Sequence, residues 1–257
     1  MALKGTVMRF DVVTLFPEFF RSLTDCGITA RARQRGLWSL QTWNPRDVTE
    51  DLHRTVDDRP FGGGPGMILM AEPLAQTVDA IRAAGNRGRV VSFAPNGRKL
   101  DDRRVREFVA SGEDVVLICG RYEGIDERFL NRYVDEVISL GDFVLSGGEL
   151  AAAALMDAVV RQLPGAIKDL SSLDESFATG LLDAPHYTRP EVWRGEGVPE
   201  VLLSGHHANI ARWSREESLR FTLQTRPDLI KIADSSGLLS KADKAYLRRL
   251  DPKIVLS

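Results

Sequence analysis

Ser139-Leu140-Gly141-Asp142-Phe143-Val144-Leu145-Ser146-Gly147-Gly148-Glu149 reads as the end of a strand, a tight loop and the start of a helix. Val137 and Ile138 before it are strand formers, and Gly141-Asp142 breaks the run. Ser146 and Glu149 have the S-x-x-E spacing of a capping box ahead of an apolar helix from Leu150 to Leu163. Glycines where a loop meets a helix N-terminus let backbone amides approach a ligand closely. The stretch is not a dinucleotide fingerprint, because no G-x-G-x-x-G follows any strand here. The chain has no G-x-x-x-x-G-K-[ST] phosphate loop either. The loop therefore points to a ligand held by backbone groups, outside both common nucleotide motifs.

Outward from this loop, the first 165 residues alternate strand and helix. Phe10 to Leu15 reads as a buried strand, with Pro17 starting a helix that reaches about Arg35. Trp38 to Trp43 is a second strand and Arg89 to Ala94 a third, which Pro95-Asn96-Gly97 turns into a helix with Asp101 as N-cap. Val115 to Cys119 is wholly apolar, as in a parallel strand covered on both faces. Val134 to Ser139 is the fifth. The succession implies an α/β domain with a parallel sheet over residues 1–165.

Residues 166–180 hold Ser171-Ser172, Asp169, Asp174 and Glu175 with few large apolar side chains, and read as a mobile linker. Beyond it, Pro185, Pro190 and Pro199 punctuate an extended segment, and Arg212 to Leu223 and Ser240 to Leu250 read as helices. The 181–257 segment is accordingly expected to be a small all-helical domain.

Composition narrows the class. Net charge is −2, so bulk electrostatics do not announce a nucleic-acid binder. From residue 181 onward, however, 12 Lys and Arg face 10 Asp and Glu, and the acidic excess lies before it. The clusters Arg31, Arg33, Arg35 and Arg103, Arg104, Arg106 each read, singly, as solvated helix faces. Cys26 and Cys119 form no C-x-x-C pair, and no Cys/His cluster suggests zinc. No secretory or membrane-spanning apolar run is present, which points to a reduced cytoplasm.

Three strands end in glycine-containing loops: Ser92-Phe93-Ala94-Pro95-Asn96-Gly97, Cys119-Gly120-Arg121-Tyr122-Glu123-Gly124, and the opening stretch. In an open parallel sheet, ligands bind at the carboxyl ends of the strands. Phe61-Gly62-Gly63-Gly64-Pro65-Gly66-Met67 is richer in glycine than a surface turn requires, and reads as a loop that contacts a ligand or partner. Arg161, near the end of the helix after Gly148, answers the helix dipole unless another role is given to it.

Taken in order, several motifs closely resemble bacterial tRNA (guanine-N1-)-methyltransferases of the TrmD type, members of the SPOUT superfamily. They are Thr55 to Met67, Cys119 to Arg128, Gly141 to Leu150, Gly180 to Val192 and Val201 to His206. The likeness runs from about Arg9 to Arg226. It implies a parallel sheet tied in a deep trefoil knot, which topology rules alone would have excluded. It also implies S-adenosylmethionine as methyl donor. Carried over by position, Ser92, Phe93, Pro95 and Gly97 line the pocket, with Gly120, Tyr122 and Glu123. Leu140, Gly141, Asp142, Phe143, Val144 and Leu145 follow, with Gly147 and Gly148. Where relatives commonly have Tyr, this chain has Phe143, so a hydroxyl contact is lost there.

The resemblance further implies a tRNA substrate, methylated at N1 of the guanine 3′ of the anticodon. Guanine N1 carries a hydrogen at neutral pH and needs a base to remove it. Negative charge then builds on N1 and O6, and Arg161 occupies the family position that offsets it. Relatives place Asp before Ser-Phe where this chain has Glu175, preceded by Asp174. Glu175 is the expected base, and Asp174 its rival. Family members are homodimers in which the linker of one subunit completes the site of the other. His53, Asp57, Arg59 and His206 are then expected against tRNA. Magnesium assistance is also suggested by the resemblance, while no carboxylate cluster specifies a metal site.

Three rival functions fit these residues less well. A SPOUT enzyme for another base would lack the Pro185-to-Pro190 and Ser204-Gly205-His206 segments. A non-catalytic RNA-binding module would lose Arg161 or the linker carboxylates. A small-molecule enzyme would not need the basic-leaning second domain.

Overall fold

The computed structural model describes residues 7–167, 176, 177 and 179–256. The chain divides into two compact units, Met1–Lys168 and Asp169–Ser257. The expected linker at 166–180 spans that division, and much of it lies outside the described residues.

The first unit is built on β1 (Met8–Val13), β2 (Trp38–Trp43), β5 (Arg89–Lys99), β6 (Val115–Ile118) and β7 (Glu136–Ser139). They form one five-stranded sheet in the order β2-β1-β6-β5-β7, every pairing parallel. β3 (Asp57–Asp58) and β4 (Ile68–Leu69) make a separate two-stranded ribbon. The helices are α1 (Arg21–Asp25), α2 (Gly27–Gln34), α3 (Ala71–Ala83), α4 (Asp102–Ser111), α5 (Glu127–Tyr133) and α6 (Glu149–Gln162).

Central β6 shows why the sheet is covered on both faces. Val115 and Leu117 point into a core with Phe10, Phe108, Leu155 and Val159, while Val116 and Ile118 point into another with Leu74, Val78, Ile81 and Phe129. All four are essentially inaccessible, and burial of each such side chain contributes about 1.5–3 kcal/mol. Helices α2, α4 and α6 feed the first core, and α3 and α5 the second.

Several local expectations change in the structure. The helix expected from Pro17 to Arg35 is instead a 3-10 turn at Pro17–Phe20 followed by α1 and α2. Cys26 takes an extended conformation and Gly27 a left-handed one, which interrupts the backbone hydrogen-bond ladder. Pro95-Asn96-Gly97 does not end the third strand. β5 continues to Lys99 with a local excursion, so that Phe93 and Arg98 both lie opposite Ile138. Asp101 does cap α4, accepting from Arg104 N. The Ser146–Glu149 capping box does not form: the N-cap of α6 is Gly148, without a side-chain cap. Helix α3, outside the sequence reading, carries an apolar stripe at Leu74, Val78 and Ile81.

The second unit holds a small hairpin, β8 (Val192–Trp193) with β9 (Glu196–Gly197), then α7 (Glu200–Leu203), α8 (His207–Thr225), α9 (Pro227–Ser235) and α10 (Lys241–Leu250). The hairpin departs from the all-helical expectation, because Arg194-Gly195 supplies two positive-φ residues for a tight turn. Leu181, Leu219, Ile230, Ala233, Leu239 and Leu247 form its core. Among the described residues, no helix is long and apolar enough to cross a membrane.

Candidate active site

A cavity of about 590 Å³ opens at the carboxyl ends of β5, β6 and β7. This is where the three glycine-bearing loops were expected to meet, and the sheet order explains why they do. β5 lies between β6 and β7, so all three loops leave the same edge side by side.

The β5 excursion contributes Ser92, Phe93 and Pro95 to the wall, with Asn96 beside them. The loop after β6 contributes Gly120, Tyr122 and Glu123. The loop after β7 contributes Leu140, Gly141, Phe143, Val144 and Leu145, then Gly147 and Gly148. Gly97 and Asp142 do not reach the wall. Gly97 is spent on packing instead: a Cβ there would fall 2.7 Å from backbone atoms of Val137 and Ile138. Gly148 has a similar constraint, since a Cβ would lie 2.8 Å from Cys119 Cα. Its N–H donates to Gly120 O at 2.9 Å, so the start of α6 rests directly on the loop after β6.

The polar groups at the cavity have defined partners. Burial first, and then the Asp57 carboxylate, pushes the Tyr122 phenol above its ordinary value, with Arg46 acting in the opposite sense. Tyr122 is thus a neutral hydroxyl at physiological pH. Arg46 lies 3.8 Å from Asp57, which ties the β3 ribbon to the same corner. Glu123 N donates to Met67 O at 3.0 Å, and its side chain lies across Gly66, which brings the glycine-rich loop to the site. Burial above all, then Glu149, pushes the Cys119 thiol up, so this buried sulfur is no nucleophile at neutral pH.

Arg121 and Asn96 also line the cavity, although the sequence reading gave neither a role of its own. Arg121 Nε sits 3.0 Å from Glu149 Oε2, and its guanidinium lies 4.3 Å above the Phe16 ring. Only the apparent capping signature marked Glu149 in the sequence. The side chain is buried and accepts from Thr14 Oγ1 at 2.8 Å.

The other expected residues are dispersed. Arg161 lies in the last turn of α6. Asp174 and Glu175 fall outside the described residues. Asp57 is in β3, while His53 and Arg59 are exposed; Arg59 lines a second groove with Phe61 and Arg132. His206, in the second unit, is exposed and occupies the N-cap position of α8. Among the described residues, no group of three or more His, Cys, Asp or Glu is placed to hold a metal.

A sequence profile of the family described as tRNA (Guanine-1)-methyltransferase TrmD matches residues 8–232. The chain is 59% identical over 252 residues to a tRNA (guanine-N(1)-)-methyltransferase of Burkholderia cenocepacia (strain HI2424), with 95% of each chain covered. The same figures hold for the protein of that name from Burkholderia orbicola (strain MC0-3). One from Burkholderia mallei (strain SAVP1) is 57% identical over 251 residues, again with 95% of each chain covered.

Proposed function

Because the chain belongs to the tRNA (guanine-1)-methyltransferase TrmD family and is a methyltransferase, we propose that it methylates N1 of the guanine immediately 3′ of the anticodon in tRNA. The methyl donor is S-adenosylmethionine. The observation that carries this reading is the convergence of three strand-end loops on one cavity of about 590 Å³, in a chain matched to the family over residues 8–232.

The cavity suits that donor in size and chemistry. Its volume falls within the usual range for nucleotide-sized ligands. Val137, Leu140 and Phe143 offer apolar surface for a base, while Ser92, Asn96, Tyr122 and Glu123 offer polar groups for a sugar and an amino acid. Cys119, Gly120 and Gly148 meet backbone to backbone, with no room for a Cβ on Gly148. The donor supplies an electrophilic methyl on a sulfonium.

The protein's own part is proton removal and charge compensation. Glu175 takes the N1 proton, with Asp174 as its rival, and Arg161 offsets the charge that builds on N1 and O6. An unpaired anticodon-loop guanine must be unstacked to reach such a site. We place the chain among SPOUT methyltransferases with a deep trefoil knot. The five-stranded all-parallel sheet covered by helices and the family match support the superfamily part of this reading. In this proposal the protein is a cytoplasmic homodimer whose linker carboxylate acts across the interface. His53, Asp57, Arg59 and His206 contact tRNA, residues 181–257 serve as the tRNA-binding domain, and magnesium assists without a metal site assigned to named residues.

The test is transfer of a labelled methyl group to a tRNA transcript with guanine 3′ of the anticodon, beside the same transcript with adenine. Wild type, Glu175→Gln and Asp174→Asn are run in parallel. Transfer to the guanine transcript alone, abolished by one substitution, is expected and names the base. Transfer to neither transcript overturns the proposal.

A further inference from the structure

We infer that Glu149 is a positioning residue for the methyl-donor pocket, holding two of its loops at a fixed separation through Arg121. The inference rests on the reading of the cavity as a methyl-donor site.

Glu149 is 1% exposed and does not line the cavity, whereas Arg121 does. The carboxylate lies one layer beneath the wall and touches two elements far away in sequence. Thr14, just after β1, donates its hydroxyl to Oε1 at 2.8 Å. Arg121, from the loop after β6, brings Nε to 3.0 Å from Oε2. That contact is an ion pair without an aligned hydrogen bond, so its hold on Arg121 is electrostatic, while another guanidinium nitrogen makes a directional bond. Nη1 donates to Ser146 O at 3.2 Å. Arg121 therefore crosses from the loop after β6 to the loop before α6, lying against Gly147 where any Cβ would collide with it. The ring of Phe16 beneath its guanidinium closes the remaining side.

The two loops so joined supply Gly120, Tyr122 and Glu123 on one side and Leu145, Gly147 and Gly148 on the other. Their separation sets the width of this part of the pocket. A buried carboxylate at the first residue of α6 is stabilised by the helix dipole and by its two partners. It is costly unless those partners are satisfied. A helix cap needs none of this burial. The position instead serves to fix Arg121.

The test is equilibrium binding of S-adenosylmethionine by calorimetry, with kinetics beside it, for wild type, Glu149→Gln, Arg121→Gln and the double variant. In Glu149→Gln, Kd for the donor is expected to rise about tenfold, a loss of about 1.4 kcal/mol, and KM for the donor to rise with it. A purely structural loss would reduce the folded fraction, lowering apparent kcat and leaving KM in place. The double variant should bind no worse than the weaker single one, because both substitutions break the same tie. Thr14→Val, which removes one hydroxyl at constant shape, is expected to raise Kd about threefold and serves if Glu149→Gln does not fold. A folded Glu149→Gln with Kd within twofold of wild type overturns the inference. So do single effects that multiply in the double variant, or an unchanged Kd in Thr14→Val. A wild type that binds the donor but methylates neither transcript overturns the proposed function and leaves this inference standing.

Discussion

Gly97 and Ile138 pass so closely that a Cβ on Gly97 would sit 2.7 Å from Ile138 N and Ile138 C. The atoms in the way are backbone and cannot rotate aside. Gly97 is where β5 returns to β7 after its excursion, one residue before Arg98 rejoins Ile138 in register. Gly97→Ala is therefore expected to cost about 1–3 kcal/mol through overpacking. A urea titration checks this, and a midpoint equal to wild type would show that the strands separate freely.

Gly148→Ala meets Cys119 Cα at 2.8 Å and Gly120 N at 3.0 Å. Relief requires the start of α6 to lift off, which breaks the bond from Gly148 N to Gly120 O. Donor affinity is expected to fall by about tenfold or more, given that losing one such bond and its packing is of order 1–2 kcal/mol. Calorimetric titration with S-adenosylmethionine measures it.

Asp11 is fully buried yet accepts from Trp43 Nε1 at 2.6 Å, Asn86 Nδ2 at 2.7 Å and Arg9 Nη2 at 2.8 Å. These donors come from β2, from the turn after α3 and from β1 itself, so one carboxylate joins three parts of the unit. Asp11→Ala is expected to destabilise by about 2–4 kcal/mol, since it removes the acceptor shared by the buried Asn86 amide, the Trp43 indole and the Arg9 guanidinium. Asp11→Asn, which keeps one acceptor, should cost less. Chemical denaturation of both variants orders the two losses.

In the second unit, Asp243 accepts from Arg215 Nη2 at 3.0 Å and from Ser240 N at 2.8 Å within the α10 capping box. Burial acts to raise its pKa, but Arg215 and Ser240 outweigh it, so the carboxyl lies below its ordinary value. A carboxyl lowered by folding stabilises the native state above its unfolded pKa of about 3.9, and that contribution disappears as pH falls through the lower folded value. Asp243→Asn should therefore lower stability at neutral pH by about 1–3 kcal/mol. It should also flatten the decline below pH 4. Denaturant midpoints for both proteins between pH 7 and pH 3 test the sign, and parallel pH curves would refute it.

Much of the strand set was legible locally. Val115 to Ile118 is apolar throughout because each face of β6 is covered, and Trp38 to Trp43 was delimited to the residue. Asp101 capped as its position suggested, since capping depends on neighbours three residues away. Glu149 did not, because Thr14 and Arg121 reach its carboxylate from 135 and 28 residues away. The break at Cys26-Gly27 and the helix α3 also escaped the reading. In the first case an acceptable helical composition conceals a left-handed glycine. In the second, the stripe at Leu74, Val78 and Ile81 was available at helical spacing.

The sequence by itself determined the alternating strand–helix pattern, the glycine-bearing loops at three strand ends and the family resemblance, because each is written in residue types at short spacing. Only the tertiary structure decided that those loops share one cavity, that Gly97 serves a backbone crossing, and that Glu149 belongs beneath Arg121. Those outcomes depend on strand order and on which buried groups meet across the sheet. Such long-range contacts have no local signature, since a buried carboxylate takes whichever donors the packed core brings to it.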